Sequence, residues 1–223
     1  MFINGIQSAN HPTENEELLL FLDADGCIST ARNEIVGMRY DIVALKMIEQ
    51  LQRKHKFKIV LISERRKNYQ ELRALQAELQ VQYAVNLIFH SDWKIAHSVT
   101  RLPNLPVGWE TYINHYEEQM GIKIEHGFGN IKHWRGFIIQ DWLNRNISQH
   151  ENVRYLVVDD SADTFPIAPN NTIHVKLGEE RGGIQLQHYD AIDEYFTANT
   201  ESSSGDFPDD TRPQSEATNT SMG

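Results

Sequence analysis

The sequence predicts an α/β protein built on a parallel sheet. Three observations predict it: short apolar runs of strand length, helical stripes of apolar residues between them, and the alternation of the two along most of the chain. Runs this continuously apolar suit strands covered on both faces, the usual state of a parallel sheet.

The elements follow in chain order. LLLFLD (18–23) is short, apolar and ends in acid, which reads as a buried strand. Over 38–54, Ile42, Leu45, Ile48 and Leu51 fall on one face at helical spacing. KIVLIS (58–63) reads as a second strand, and 67–80 repeats the stripe with Tyr69, Leu72, Leu75 and Leu79. YAVNLIF (83–89) reads as a third strand. A helix over 135–147 carries Phe137, Ile138, Trp142 and Leu143; RYLVVDD (154–160) and TIHVK (172–176) read as strands, and 185–196 as a last helix. Residues 90–133 break the rhythm with prolines, aromatics and histidines and read as an insertion forming a small cap over the strand ends. The expected architecture is a three-layer Rossmann-like parallel sheet, with ligands beyond the carboxyl ends of its strands.

Length and composition bound the rest. The chain has 223 residues and 40% apolar residues, enough for one domain of about 150 residues or somewhat more. Residues 1–16 read as a loose leader, 17–196 as the domain, and 197–223, rich in Ser, Thr, Asn, Asp and Pro, as a disordered acidic tail. Removing the tail is expected to leave activity intact. Mean hydropathy is −0.51 and no apolar run approaches the ~20 residues of a membrane span. No secretory signal is visible at the start, and the single cysteine, Cys27, excludes an internal disulfide. These features read as soluble and cytoplasmic, with no membrane partner. The net charge of −10 argues against broad binding to polyanions. The two ends carry much of it, and the body is near −3, leaving room for a local basic site.

The strand ends hold the informative residues. Asp23 and Asp25, two apart, leave the first strand on the same side, and Gly26 permits a sharp turn. Ser63 ends the second strand, where a hydroxyl commonly caps a helix. Arg135 opens a helix and follows Lys132. Asp159 and Asp160 end the run YLVV, where adjacent acids are costly without a partner or cation.

In that order, FLDADG, VLIS, the base ahead of IIQDWL, and YLVVDD resemble motifs I to IV of the haloacid dehalogenase (HAD) superfamily of phosphohydrolases. More narrowly, RGFIIQDWLNRN, VRYLVVDDSAD and HVKLGEERGGIQLQHYDAI resemble the HAD-type domain of Swiss-army-knife RNA repair proteins. The resemblance covers about 18–196 outside the insertion. It implies Asp23 as nucleophile forming an aspartyl-phosphate, Asp25 as general acid and then base, Ser63 as a donor to a phosphoryl oxygen, and Arg135 as the neutralising base with Lys132 as the alternative. Mg²⁺ would relieve the repulsion among the acids, held by Asp23, the Asp25 backbone carbonyl and Asp160, with Asp159 in a water-mediated or supporting contact. Cys27 and Ile28 depart from the commoner residues after the motif I glycine; Cys27 is read as packing.

The expected activity is therefore a Mg²⁺-dependent phosphatase, a hydrolase of phosphate monoesters. On the narrower resemblance it acts on a nucleotide or nucleic-acid end, as in RNA repair; otherwise the substrate is a phosphorylated small molecule. The alternatives are a non-catalytic phosphate-binding or regulatory module on the same fold and a metal-dependent nuclease. His90, His97, His115, His126 and His133 lack the tight pairing of zinc sites and read as structural or surface groups. Trp93, Trp109, Tyr112 and Tyr116, with Arg101 and Lys94, either pack the insertion or stack on a base and touch phosphates.

Overall fold

The computed structural model describes residues 16–100, 128–148, 152–164, 171–175 and 182–198, with helical positions 111, 114 and 118 between them. Strands β1 (Glu17–Leu22), β2 (Lys58–Leu61), β3 (Phe89–Lys94), β4 (Val153–Asp159) and β5 (Thr172–His174) form one sheet in the order β3-β2-β1-β4-β5. Every pairing is parallel. Helices α1 (Ala31–Ile35), α2 (Ile42–His55), α3 (Leu72–Tyr83), α4 (Arg135–Asn146) and α5 (Leu186–Thr197) complete the described elements, with short 3₁₀ turns at Glu64–Asn68, Phe128–His133 and Ala162–Thr164.

The alternation of side chains along β1 divides the core into two layers. Leu20 and Leu22 join Leu45, Ile48 and Leu51 of α2, Leu75 and Leu79 of α3, and Ile192 and Phe196 of α5. Leu19 and Phe21 point the other way, against Phe137, Ile138 and Trp142 of α4. The chain travels outward from β1 to β2 to β3 with α2 and α3 on one face. It then returns past β1 to β4 with α4 on the opposite face, as a constant crossover hand requires. This is the three-layer α/β sheet expected from the sequence. The reversal at β1 and β4 creates the crevice where such sheets bind ligands. No helix among the described residues is long and apolar enough to cross a membrane.

Several boundaries differ from expectation. The helix expected over 67–80 begins at Leu72, because Glu64–Asn68 forms a 3₁₀ turn capped by Ser63 and Tyr69 lies between the two. Three further differences bear on the sheet. Residues 83–89 are not the third strand: α3 continues to Tyr83, Ala84 closes it in the left-handed region (φ 50°), and the edge strand is Phe89–Lys94. The stretch looks like a strand because Val85, Leu87 and Phe89 are buried while Asn86 and Ile88 are exposed. Its backbone, however, is bound mainly by side chains of α2. The Gln52 amide donates to the carbonyls of Ile88 and Phe57, both at 2.7 Å, and its oxygen accepts from the Ile88 N–H at 2.7 Å. Glu49 accepts from the Asn86 N–H at 2.9 Å. Gln52→Leu strands these backbone groups and is expected to cost about 3 kcal/mol, measured by urea denaturation.

The second difference follows from the first: residues 90–94, assigned to the insertion, belong to the sheet. Trp93 is buried in the core, and the Lys94 ammonium donates to the Tyr69 carbonyl at 2.8 Å while lying over the Trp93 ring. Both are spent on packing an edge strand, so neither is available to stack on a base. Third, the last helix ends at Thr197, and Glu16, assigned to the loose leader, is ion-paired with Arg154 at 2.8 Å. Residues 1–15, most of 101–127 and 199–223 lie outside the described residues, and with them most of the leader, cap and tail, including Arg101, Trp109, Tyr112, His115, Tyr116 and His126.

Candidate functional site

Sheet register builds the acid cluster. Leu22 of β1 lies opposite Val158 of β4, so the next residues, Asp23 and Asp159, are neighbours across the two strands. The Asp23 N–H completes the ladder by donating to the Val158 carbonyl at 2.9 Å. Adjacent strands lie ~4.8 Å apart, which brings the two carboxylates onto one face. Asp160, at the start of the following turn, joins them: one carboxylate oxygen from each of Asp23, Asp159 and Asp160 lies within 4.8 Å of the others. On the other side of β1, the Ile62 N–H donates to the Leu22 carbonyl at 3.1 Å, which carries Ser63 to the same sheet edge.

Gly26 shapes the turn after β1. Its φ is +75°, where a side chain is strained, and an added Cβ would sit 2.0 Å from Asp160 Oδ2. The turn closes through the Gly26 N–H to the Ser29 carbonyl at 2.9 Å and the Ser29 N–H to the Ala24 carbonyl at 2.7 Å. The glycine therefore provides the reversal and leaves space for an acid from another strand.

Arg135, the first residue of α4, reaches the cluster from the face that Asp23 and Asp159 share. Its Nη1 donates to Asp159 Oδ1 at 2.5 Å, and its guanidinium lies 3.8 Å from Asp23 and 3.9 Å from Asp160. The Ser161 N–H donates to the same Asp159 oxygen at 2.8 Å. Lys132, the alternative base, is exposed on the preceding 3₁₀ turn, and the structure brings Arg135 to the acids instead.

Asp23 is 0% exposed, yet neither of its carboxylate oxygens accepts a hydrogen bond from a described residue. Burial drives its proton affinity well above the ordinary carboxylate value; Arg135 opposes this, and Asp159, Asp160 and Asp25 add to it. A buried carboxylate with two other acids beside it is unfavourable even with the Arg135 guanidinium 3.8 Å away. The donor set, all hard carboxylate oxygens, fits Mg²⁺ or Ca²⁺ and not a thiophilic metal. The triad Asp23, Asp159 and Asp160 can thus hold a metal ion.

Asp25 sits apart from this triad. Ser63 Oγ donates to its Oδ2 at 3.0 Å and Arg65 Nε donates to its Oδ1. Its carboxylate is thus not one of the clustered acid groups, which leaves the backbone carbonyl as its expected route to a metal. Ser63 Oγ accepts from the Arg65 N–H at 3.1 Å, capping the 3₁₀ turn, and donates to Asp25. Cys27 is buried in the core and burial pushes its thiol well up, with the nearby acids adding to the effect, so it packs rather than attacks.

Sequence reasoning missed Arg65 and Arg66. Arg66 is buried, and its guanidinium donates to the carbonyls of Ile62 and Ile95 at 2.9 Å and of Ala96 at 3.1 Å, fastening the end of β2 to the segment after β3. The signal available was a pair of arginines two and three residues after a strand-end serine. Of the histidines, His90 meets Trp142 edge-on at 4.8 Å, His97 lies against Arg66 and Glu64, and His133 contacts the His97 carbonyl. Among the described residues the acid triad is the one grouping suited to a metal.

No family model, no curated protein and no solved structure matches this chain.

Proposed function

We propose that the protein is a Mg²⁺-dependent phosphohydrolase that cleaves phosphate monoesters through Asp23. One observation carries this reading: a fully buried carboxylate, accepting no hydrogen bond from a described residue, stands beside two other acids and 3.8 Å from Arg135 at the carboxyl end of the central strand. The ordered HAD-like motifs support the same assignment.

In the proposed reaction an Asp23 oxygen forms a bond to phosphorus as the bond from phosphorus to the ester oxygen breaks. Asp25 gives a proton to the departing oxygen. Water then attacks the aspartyl-phosphate, Asp25 takes its proton, and the bond from phosphorus to Asp23 breaks to release inorganic phosphate. Ser63 donates to a phosphoryl oxygen, and Arg135 offsets charge growing on that group. Asp23, Asp160 and the Asp25 carbonyl would hold Mg²⁺ directly. Asp159, already engaged by Arg135 and the Ser161 N–H, would support them. The bound ion supplies charge neutralisation and polarises a phosphoryl oxygen. A nucleotide or nucleic-acid end as substrate, and a role in RNA repair, rest on the narrower resemblance.

A second reading, a phosphate-binding module without turnover, is favoured by one observation: both oxygens of Asp25 are occupied by donors from Ser63 and Arg65. Phosphate release from p-nitrophenyl phosphate, nucleotides and 3′- or 5′-phosphorylated oligonucleotides, with Mg²⁺ or with a chelator, separates them. Mg²⁺-dependent release is expected. Phosphate binding without release on any ester selects the module, and cutting of internal phosphodiester bonds selects a nuclease.

A further inference from the structure

We propose that Arg65 is a specificity residue that exchanges Asp25 for an anionic group on the leaving-group side of the substrate. The inference rests on the phosphohydrolase reading and names its substrate class: monoesters whose leaving group carries a second negative charge near the ester oxygen.

Two arginines near the site are already committed. Arg135 is buried and bound to Asp159. Arg66 is buried and bound to backbone carbonyls and His97. Arg65 is different. Its Nε donates to Asp25, its Nη2 donates to Glu34 of α1 at 3.2 Å, and its Nη1 makes no hydrogen bond to a described residue. The side chains are 23% exposed for Arg65, 45% for Asp25 and 65% for Glu34. Ion pairs in such wet surroundings are weak and are readily traded for another anion.

Position decides what that anion is. Asp25 is the group assigned to protonate the departing oxygen, so a cation bound to its Oδ1 borders the leaving group. The Arg65 N–H is anchored on Ser63 Oγ, which holds the residue at this rim while its guanidinium moves. A planar fork of donors recognises a carboxylate or a second phosphate in bidentate fashion. As Arg65 turns to that anion it frees Asp25 Oδ1 to face the ester oxygen.

The test uses a pair of inert phosphonates that differ by one carboxylate, benzylphosphonate and 3-carboxybenzylphosphonate, titrated calorimetrically into the full chain with Mg²⁺. The wild-type protein is expected to bind the carboxylated ligand about tenfold more tightly or better. Arg65→Gln is expected to abolish that preference, and Arg65→Lys, which keeps the charge but not the fork, to restore part of it. With substrates, the change should fall on KM for 3-carboxyphenyl phosphate relative to phenyl phosphate, an effect that a general loss of structure would not produce. Equal affinity of the wild-type protein for the two ligands, equal loss for both in Arg65→Gln, or no binding of either overturns the inference. Wild-type turnover of phenyl phosphate decides the phosphohydrolase reading separately.

Discussion

Asp23→Asn is expected to reduce Mg²⁺-dependent phosphate release more than about a thousandfold while leaving the fold intact. An amide nitrogen or oxygen cannot form the acyl-phosphate, and loss of a nucleophile removes the two-step route entirely. At a pH above the raised value of Asp23, the same substitution is expected to stabilise the protein in chelator, by about 1–2 kcal/mol, because it removes a buried charge whose oxygens accept no hydrogen bond from a described residue. The pH dependence provides a third readout. Burial raises Asp23 above its ordinary value of 3.8, so above that pH the folded chain retains a proton that the unfolded chain has lost. Stability of the metal-free protein therefore falls as pH climbs from 3.8 through the raised value, and Asp23→Asn flattens that fall. Phosphate release by Asp23→Asn at wild-type rate would remove Asp23 as nucleophile. Unchanged or lower stability in chelator would show that Arg135 already compensates the buried charge.

Gly26→Ala is expected to weaken Mg²⁺ binding ten- to a hundredfold, the range typical when the support of a metal ligand is lost. The new methyl group would lie 2.0 Å from Asp160 Oδ2, so the carboxylate must move. The positive φ adds about 1–2 kcal/mol of strain to the turn. Calorimetric titration of Mg²⁺ measures the first effect and thermal unfolding in chelator the second. Full metal affinity in Gly26→Ala would mean that Asp160 is not a direct ligand.

The strands at 18–23, 58–63, 154–160 and 172–176 were legible because a strand covered on both faces must be apolar throughout. Helix α2 was legible because Ile48 and Leu51 recur at the helical period. The third strand was misplaced because side-chain periodicity reports burial and not backbone pairing. Val85, Leu87 and Phe89 alternate inward, but Gln52 and Glu49 supply hydrogen bonds that a neighbouring strand would otherwise make. Phe89–Lys94 escaped notice because an edge strand tolerates polar residues such as the exposed Ser91 and the half-buried Asp92, whose carboxylate accepts from the Asn146 amide at 3.0 Å.

Within the site, Asp23, Asp25, Ser63, Asp159 and Asp160 could be named from their places at strand ends. The choice of Arg135 over Lys132 could not: both precede the same apolar stripe, and only the entry angle of α4 turns one inward and leaves the other exposed. Arg65 was invisible for a related reason, since an arginine after a strand is usually solvated.

The amino-acid order alone determined the layered parallel architecture and the residue types gathered at its carboxyl edge, because periodicity and strand length are local properties. Tertiary structure decided which charges meet. It set β1 against β4 so that Asp23 faces Asp159, gave Arg135 to Asp159 and Arg65 to Asp25, and cleared space at Gly26 for Asp160. Electrostatic partnership depends on distance in space, which register and helix placement fix and sequence separation does not.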